Sequence, residues 1–233
     1  MAATLETLSD EVLGNGAPRR PMVRLALVAT MISVVLAVQR TAHASTAPLS
    51  HAQSAPPPVE VNLGAQGNLG FIDRIFRQGL AEFNAGNPDA AVNLWELAAQ
   101  QGHLLAQYNL GIAYAKGLGT RMDIGRAVHW WREAATQGST DAQYNLGALY
   151  AEGNGVEKNM SEASIWWRLA AQGGDAAAQF NLGLLLARGD GVPQDVERAI
   201  WWWEKSAAQG FQHAIRALDT LKKRGVSLYS TGP

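Results

Sequence analysis

The sequence predicts an all-α protein, a right-handed solenoid of helix-turn-helix units, on the basis of three observations. First, its residues repeat with a period of 36 from about residue 87 to residue 225, and a fixed period of this length is typical of stacked helical repeats. Second, alanine and tryptophan recur at helical spacing within each period. Third, an asparagine or aspartate recurs just before the second helix of each unit. The periodic tryptophans are Trp95, Trp131, Trp167 and Trp203. Each unit is expected to contain two helices, and the array nine.

The first helix of each unit begins with alanine, glutamine, an aromatic residue, asparagine, leucine and glycine, and spans 106–115, 142–151 and 178–187. Tyr114 lies four residues after Leu110 and three after Gly111, which places the three on one buried face. A glycine inside a helix costs about 1 kcal/mol relative to alanine, so we expect the partner helix to approach closely at Gly111. Left-handed glycines should end these helices, at Gly117, Gly153 and Gly189.

The second helix of each unit is predicted to start after an N-cap residue, and this column contains Asn87, Asp123, Asn159 and Asp195. The paired tryptophans share a face with small alanines, which predicts that they pack in the core. Trp201 lies one step off that face, where the other units have His129 and Ile165. It is either a candidate exposed anchor for a partner or packed beneath the last helix.

The first 44 residues are predicted to be a secretory signal peptide. Arg19, Arg20 and Arg24 precede an apolar run over 25–38, and small residues at 42 and 44 precede Ser45. This is the order of regions that signal peptidase recognises, so we expect cleavage after Ala44. Acidic residues in the first 21 positions suggest that translation starts at Met22. The run is short for a membrane span, and it would anchor the protein only if it were left uncleaved.

The remaining chain is expected to have three parts. Residues 45–70 contain four prolines and few large apolar side chains, so they are predicted to be a disordered, proline-rich leader. Residues 71–225 form the predicted solenoid, which ends in a capping helix with basic residues in its last turn. Residues 226–233 form a short tail.

The motifs AQYNLGIAYAKGLG, AQYNLGALYAEGNGV and AQFNLGLLLARGDGV resemble Sel1-like repeats of the tetratricopeptide superfamily. The resemblance is strong over 104–213 and weaker over 73–103, where the first unit is about four residues shorter. It implies a concave groove formed by the first helices and lined by one aromatic residue, one asparagine and one charged residue per unit. The lining residues implied in this way are Tyr108, Asn109, Ile112 and Lys116 from the first of these units, Tyr144, Asn145, Ala148 and Glu152 from the next, and Phe180, Asn181, Leu184 and Arg188 from the third. The asparagine side chain can both donate and accept, so it could pair with the main chain of an extended peptide.

The composition argues against several classes of function. A net charge of -1 provides no basic surface for nucleic acid. The absence of cysteine excludes disulfides and thiolate chemistry. The histidines are far apart and no serine-nucleophile motif occurs, so no catalytic residue, metal site or cofactor is predicted.

The expected function is a non-catalytic scaffold or regulator in the periplasm, or secreted, whose groove binds a segment of another cell-envelope protein. The resemblance supports it, because Sel1-like proteins act as adaptors and regulators in the envelope. The alternative is a module that binds peptidoglycan or exopolysaccharide through the column Tyr108, Tyr144 and Phe180.

Overall fold

The computed structural model describes residues 65–223, and within them the regular structure is helical throughout. Nine helices follow one another, as predicted for this part of the chain. They are α1 (Ala65–Asn84), α2 (Pro88–Gln100), α3 (Leu104–Lys116), α4 (Ile124–Thr136), α5 (Thr140–Glu152), α6 (Met160–Gln172), α7 (Ala176–Arg188), α8 (Val196–Ala208) and α9 (Gln212–Lys223).

The helices pack in chain order. The most extensive contacts join the two helices of one unit, which are α1 with α2, α3 with α4, α5 with α6, and α7 with α8. Successive units join through α2 with α3, α4 with α5, α6 with α7, and α8 with α9. Packing between neighbours along the chain is the defining property of a solenoid, and the predicted all-α solenoid is confirmed.

The core of each unit is a tryptophan ring lying on a glycine. A Cβ atom on Gly111 would lie 2.2 Å from the Trp131 ring, and one on Gly147 would lie 2.4 Å from the Trp167 ring. The Trp131 indole also donates a hydrogen bond to the Tyr108 carbonyl, with an Nε1 to O distance of 3.2 Å. The predicted close approach of the two helices is therefore confirmed.

The first unit follows the same pattern with a shorter spacing. Gly79 of α1 faces Trp95 as Gly111 faces Trp131, so 32 residues rather than 36 separate the first two glycines.

The predicted caps of the second helices are confirmed in three units. The side chains of Asp123, Asn159 and Asp195 each accept a hydrogen bond from the backbone N–H three residues later. Asn87 makes no such bond, and its Nδ2 donates instead to Oε2 of Glu82 at 2.9 Å. Asn87 is therefore the N-cap residue of α2 as predicted, but its side chain makes no capping bond.

The first helix begins earlier than the sequence predicted. α1 starts at Ala65, so the last six residues of the predicted 45–70 leader are helical. Leu69 is exposed and the first buried side chain belongs to Ile72, which is why the apolar pattern did not show this start. The predicted signal peptide, the rest of the leader and the 226–233 tail lie outside the described residues. Among the described helices, none has the length and apolar character needed to cross a membrane.

Candidate functional site

The first helices α3, α5 and α7 each have one side that does not pack on a second helix. On α3, Gly111 faces Trp131 of the second helix, while Ala106 and Leu110 are fully buried among neighbouring helices. The remaining side carries residues at positions i, i+3 and i+7, which share one face of a helix. We call this surface the first-helix face. It comprises Asn109, Ile112 and Lys116 of α3, Asn145, Ala148 and Glu152 of α5, and Asn181, Leu184 and Arg188 of α7.

Three rows of side chains run along the first-helix face, and they differ in exposure. Lys116, Glu152 and Arg188 are exposed. In the middle row, Ile112 of α3 and Leu184 of α7 are half-buried. The equivalent residue of α5 is the smaller Ala148, which is buried.

The asparagine row is buried, which contradicts the predicted open lining. The relative solvent-accessible surface areas of Asn109, Asn145 and Asn181 are 8%, 2% and 6%. The burial leaves both Nδ2 and Oδ1 of Asn145, and Nδ2 of Asn181, without a hydrogen-bond partner.

A second row of buried amides lies two residues earlier in each first helix. These side chains form hydrogen bonds within the protein. The Nε2 atoms of Gln107, Gln143 and Gln179 donate to the carbonyls of Ala99, Ala135 and Ala171 at 3.0 to 3.2 Å. These carbonyls lie near the end of the preceding second helix, so the glutamines join one unit to the next. Buried amides normally find such partners, whereas Asn145 lacks one for both of its polar side-chain atoms.

The aromatic row is also buried, so Tyr108, Tyr144 and Phe180 do not line an open groove as predicted. These side chains fill the junctions between units. The Phe180 ring centroid lies 5.5 Å from that of Phe211 in the next unit. In the first unit Phe76 stacks on His103 at 4.4 Å. The Phe180 and Phe76 rings are thus covered by residues at the start of the following first helix.

Trp201 is half-buried rather than an exposed anchor. Its ring packs edge to face against Trp202, with centroids 4.6 Å apart, and the Lys205 ammonium lies 4.4 Å from its centroid. This cation–π contact and the neighbouring ring account for its partial burial. Trp131, Trp167, Trp203 and Trp95 are buried as predicted, while Trp130, Trp166 and Trp202 are half-buried.

One polar cluster was not predicted from the sequence. The buried Tyr114 hydroxyl donates to the Glu96 carboxylate and accepts from Nη1 of Arg126 at 2.8 Å. Burial, followed by the hydrogen bond to Glu96, raises the pKa of Tyr114. The cluster joins α2, α3 and α4, and no motif marks it because its members are 12 and 18 residues apart in the chain. Its contacts make it a structural feature of the second unit.

Comparison with known proteins relates this architecture to one family. The family model described as "Sel1 repeat" matches residues 64–103, 104–139, 140–175 and 176–211. A solved Sel1 repeat protein from Oxalobacter formigenes is 32% identical, with a TM-score of 0.60, and the match covers 70% of this chain and 69% of that one. A protective antigen of uropathogenic Escherichia coli with an SLR fold is 34% identical, with a TM-score of 0.64. That match covers 69% of this chain and 35% of the antigen, so the present chain corresponds to about a third of it. No curated protein matches.

Proposed function

Because this chain belongs to the Sel1 repeat family, whose members generally mediate protein–protein interaction and are of a non-catalytic scaffold type, we propose that it is a non-catalytic scaffold. Its first-helix face binds an extended segment of another protein. The accessible part of this face consists of the exposed Lys116, Glu152 and Arg188 and the half-buried Ile112 and Leu184.

The unbonded amide of Asn145 carries the proposal. Leaving a buried polar group without a partner costs about 1 to 3 kcal/mol, and a purely structural position would favour an apolar residue. The main chain of an extended peptide offers the N–H and C=O groups that this side chain lacks. Side-chain rotamers commonly change when partners bind, and such a change would uncover the amide.

The proposed partner is a protein of the cell envelope. This part of the proposal is supported by the basic residues, the apolar run 25–38 and the small residues before Ser45, which together resemble an export signal. We propose that the protein acts in the periplasm or is secreted.

Photo-crosslinking in intact cells tests the proposed surface. A photoreactive amino acid at Leu184 on the first-helix face should capture a specific protein. The same amino acid at Ile165, which is exposed on the second helix α6, should not. Capture at Leu184 should be lost in Asn145→Leu, while the free energy of unfolding stays unchanged or rises by about 1 kcal/mol because a buried unbonded amide is removed.

Three outcomes would contradict the proposal. They are the absence of any specific protein at Leu184, equal capture at Ile165, and undiminished capture in Asn145→Leu. A large loss of stability in Asn145→Leu would show instead that the amide serves the fold.

Burial of the aromatic row counts against the glycan alternative. Stacking on a sugar needs an open ring face, and Tyr108, Tyr144 and Phe180 are at most 5% exposed. Titration with muropeptides or exopolysaccharide, followed by tryptophan fluorescence, should give no saturable change.

A further inference from the structure

We infer that the segment bound on the first-helix face is acidic and presents carboxylates to Lys116 and Arg188. This inference rests on the proposed function and adds the chemistry of the partner. The two residues occupy equivalent positions two units apart, in the last turns of α3 and α7.

Both cations are exposed and unpaired among the residues that the structure describes. Some other basic residues are engaged: Arg126 and Arg198 lie near carboxylates, and Lys205 covers Trp201. Arg168 on α6 is exposed and, like Lys116 and Arg188, has no such partner among the described residues. Lys116 and Arg188 make no ion pair, hydrogen bond or ring contact with residues 69–223. Their charges are therefore available to a ligand.

Helix stability alone does not explain this row. Cations are favourable in the last turn of a helix because they face the negative end of the helix dipole. If the row served only that purpose, α5 would also end in a cation, yet it ends in Glu152. The row therefore consists of a cation on α3, a carboxylate on α5 and a cation on α7.

The unbonded Asn145 supplies a second, independent observation. It lies on α5, between the units that carry the two cations. A segment that crosses α3, α5 and α7 would meet the cation Lys116, then the unbonded amide of Asn145 beside the carboxylate of Glu152, and then the cation Arg188. Half-buried Ile112 and Leu184, with the small Ala148 between them, would contact its apolar side chains. An extended peptide with acidic residues on both sides of its centre is complementary to this arrangement.

Fluorescence anisotropy with three labelled 12-residue peptides tests the inference on the full chain. The peptides carry Glu, Gln or Lys at two positions six residues apart, one on each side of the centre, and are otherwise identical. An extended chain rises about 3.3 Å per residue and packed helices lie about 8 to 10 Å apart, so about six residues span the two steps from α3 to α7, and the central residues face α5 with its Glu152. The Glu peptide should bind about tenfold more tightly than the Gln peptide, which corresponds to about 1.4 kcal/mol for two exposed ion pairs. Added salt should reduce the difference.

Matched variants locate the preference. Lys116→Ala combined with Arg188→Ala should abolish the preference for Glu over Gln. Arg168→Ala should retain it, because Arg168 is also exposed but lies on the second helix α6. Equal binding of the Glu and Gln peptides, or a preference that survives in the double variant, would overturn the inference.

The outcomes also separate this inference from the proposed function. If all three peptides bind equally and Asn145→Leu removes the binding, the face binds peptides without a preference for acid, and only the inference fails. If none binds, the inference fails as well, and the fate of the proposed function is decided by crosslinking at Leu184.

Discussion

The glycines that face tryptophan rings set the distance between the two helices of each unit. Gly79, Gly111, Gly147 and Gly183 each lie where a Cβ atom would come within 2.6 Å of an indole. The cost of glycine inside a helix is about 1 kcal/mol, and the burial of a whole indole offsets it. At this scale the identity of a single residue decides how closely two helices pack.

Gly147→Ala is expected to destabilise the protein by about 1 to 3 kcal/mol, because the added methyl group overlaps the Trp167 ring. Gly70→Ala is the matched control, since Gly70 is also helical but nothing lies within 4 Å of its Cβ position. It should stabilise the protein by up to about 1 kcal/mol through helix propensity. Urea unfolding of both variants checks the prediction, and an equal effect of the two substitutions would contradict it.

The buried Tyr114 predicts a pH dependence at the alkaline end. Its pKa is raised above the model-peptide value of 10.0 because burial and the Glu96 carboxylate disfavour the phenolate. The folded state therefore keeps the phenol neutral where the unfolded chain ionises. The stabilisation is complete below pH 10.0 and is lost as the pH rises through the folded-state pKa.

Tyr114→Phe should lose stability less steeply than the wild type as the pH rises above 10.0. Urea unfolding at several pH values measures this, and the difference between the two proteins should be constant below about pH 9. Parallel curves through the alkaline range would show that Tyr114 does not titrate in this way.

At the scale of the element, the two kinds of helix are started by different means. The second helices α4, α6 and α8 share an Asx cap at one repeat position, whereas the first helices α3, α5 and α7 are capped by His103, Ser139 and Asp175. In each case the side chain accepts a hydrogen bond from the N–H three residues later. The first-helix caps escaped prediction because their residue types differ from unit to unit.

Asn159→Ala should cost about 1 kcal/mol of stability, because its Oδ1 accepts from the Glu162 N–H at 3.0 Å. Asn87→Ala is the same substitution at the equivalent position of a unit in which the side chain caps nothing, so it should cost only a few tenths of a kcal/mol. Thermal unfolding of the pair measures the difference. Equal losses would mean that the capping bond at Asn159 contributes nothing.

At the scale of the whole molecule, the first and last described helices carry exposed polar residues at positions where the inner first helices have buried or small ones. Arg74 and Gln78 of α1 are exposed at the positions where α3 has the buried Ala106 and Leu110. On α9, the exposed Asp219 replaces the glycine on which a further tryptophan would pack. Terminal repeats with a polar outer side keep solenoids soluble, so both ends have the character of caps.

Leu221→Ala should destabilise the C-terminal end by about 2 to 5 kcal/mol, because this α9 side chain is fully buried. Since each unit contacts only its neighbours, hydrogen exchange should accelerate in α8 and α9 more than in α2 to α4. The exposed neighbour Lys222→Ala is the control and should leave exchange unchanged. A uniform acceleration along the array would show that the units unfold together.

The sequence by itself determined the paired helices, their glycine ends, most of the second-helix caps and the tryptophan core. These features depend on spacing and residue type within one unit, which the period of 36 displays directly. Only the tertiary structure decided which of the groove-lining residues are open. Asn145 and Tyr144 are buried while Glu152 is exposed, because their exposure depends on how adjacent units are rotated against each other. That rotation arises from packing between units, and the repeat pattern of the sequence does not reveal it.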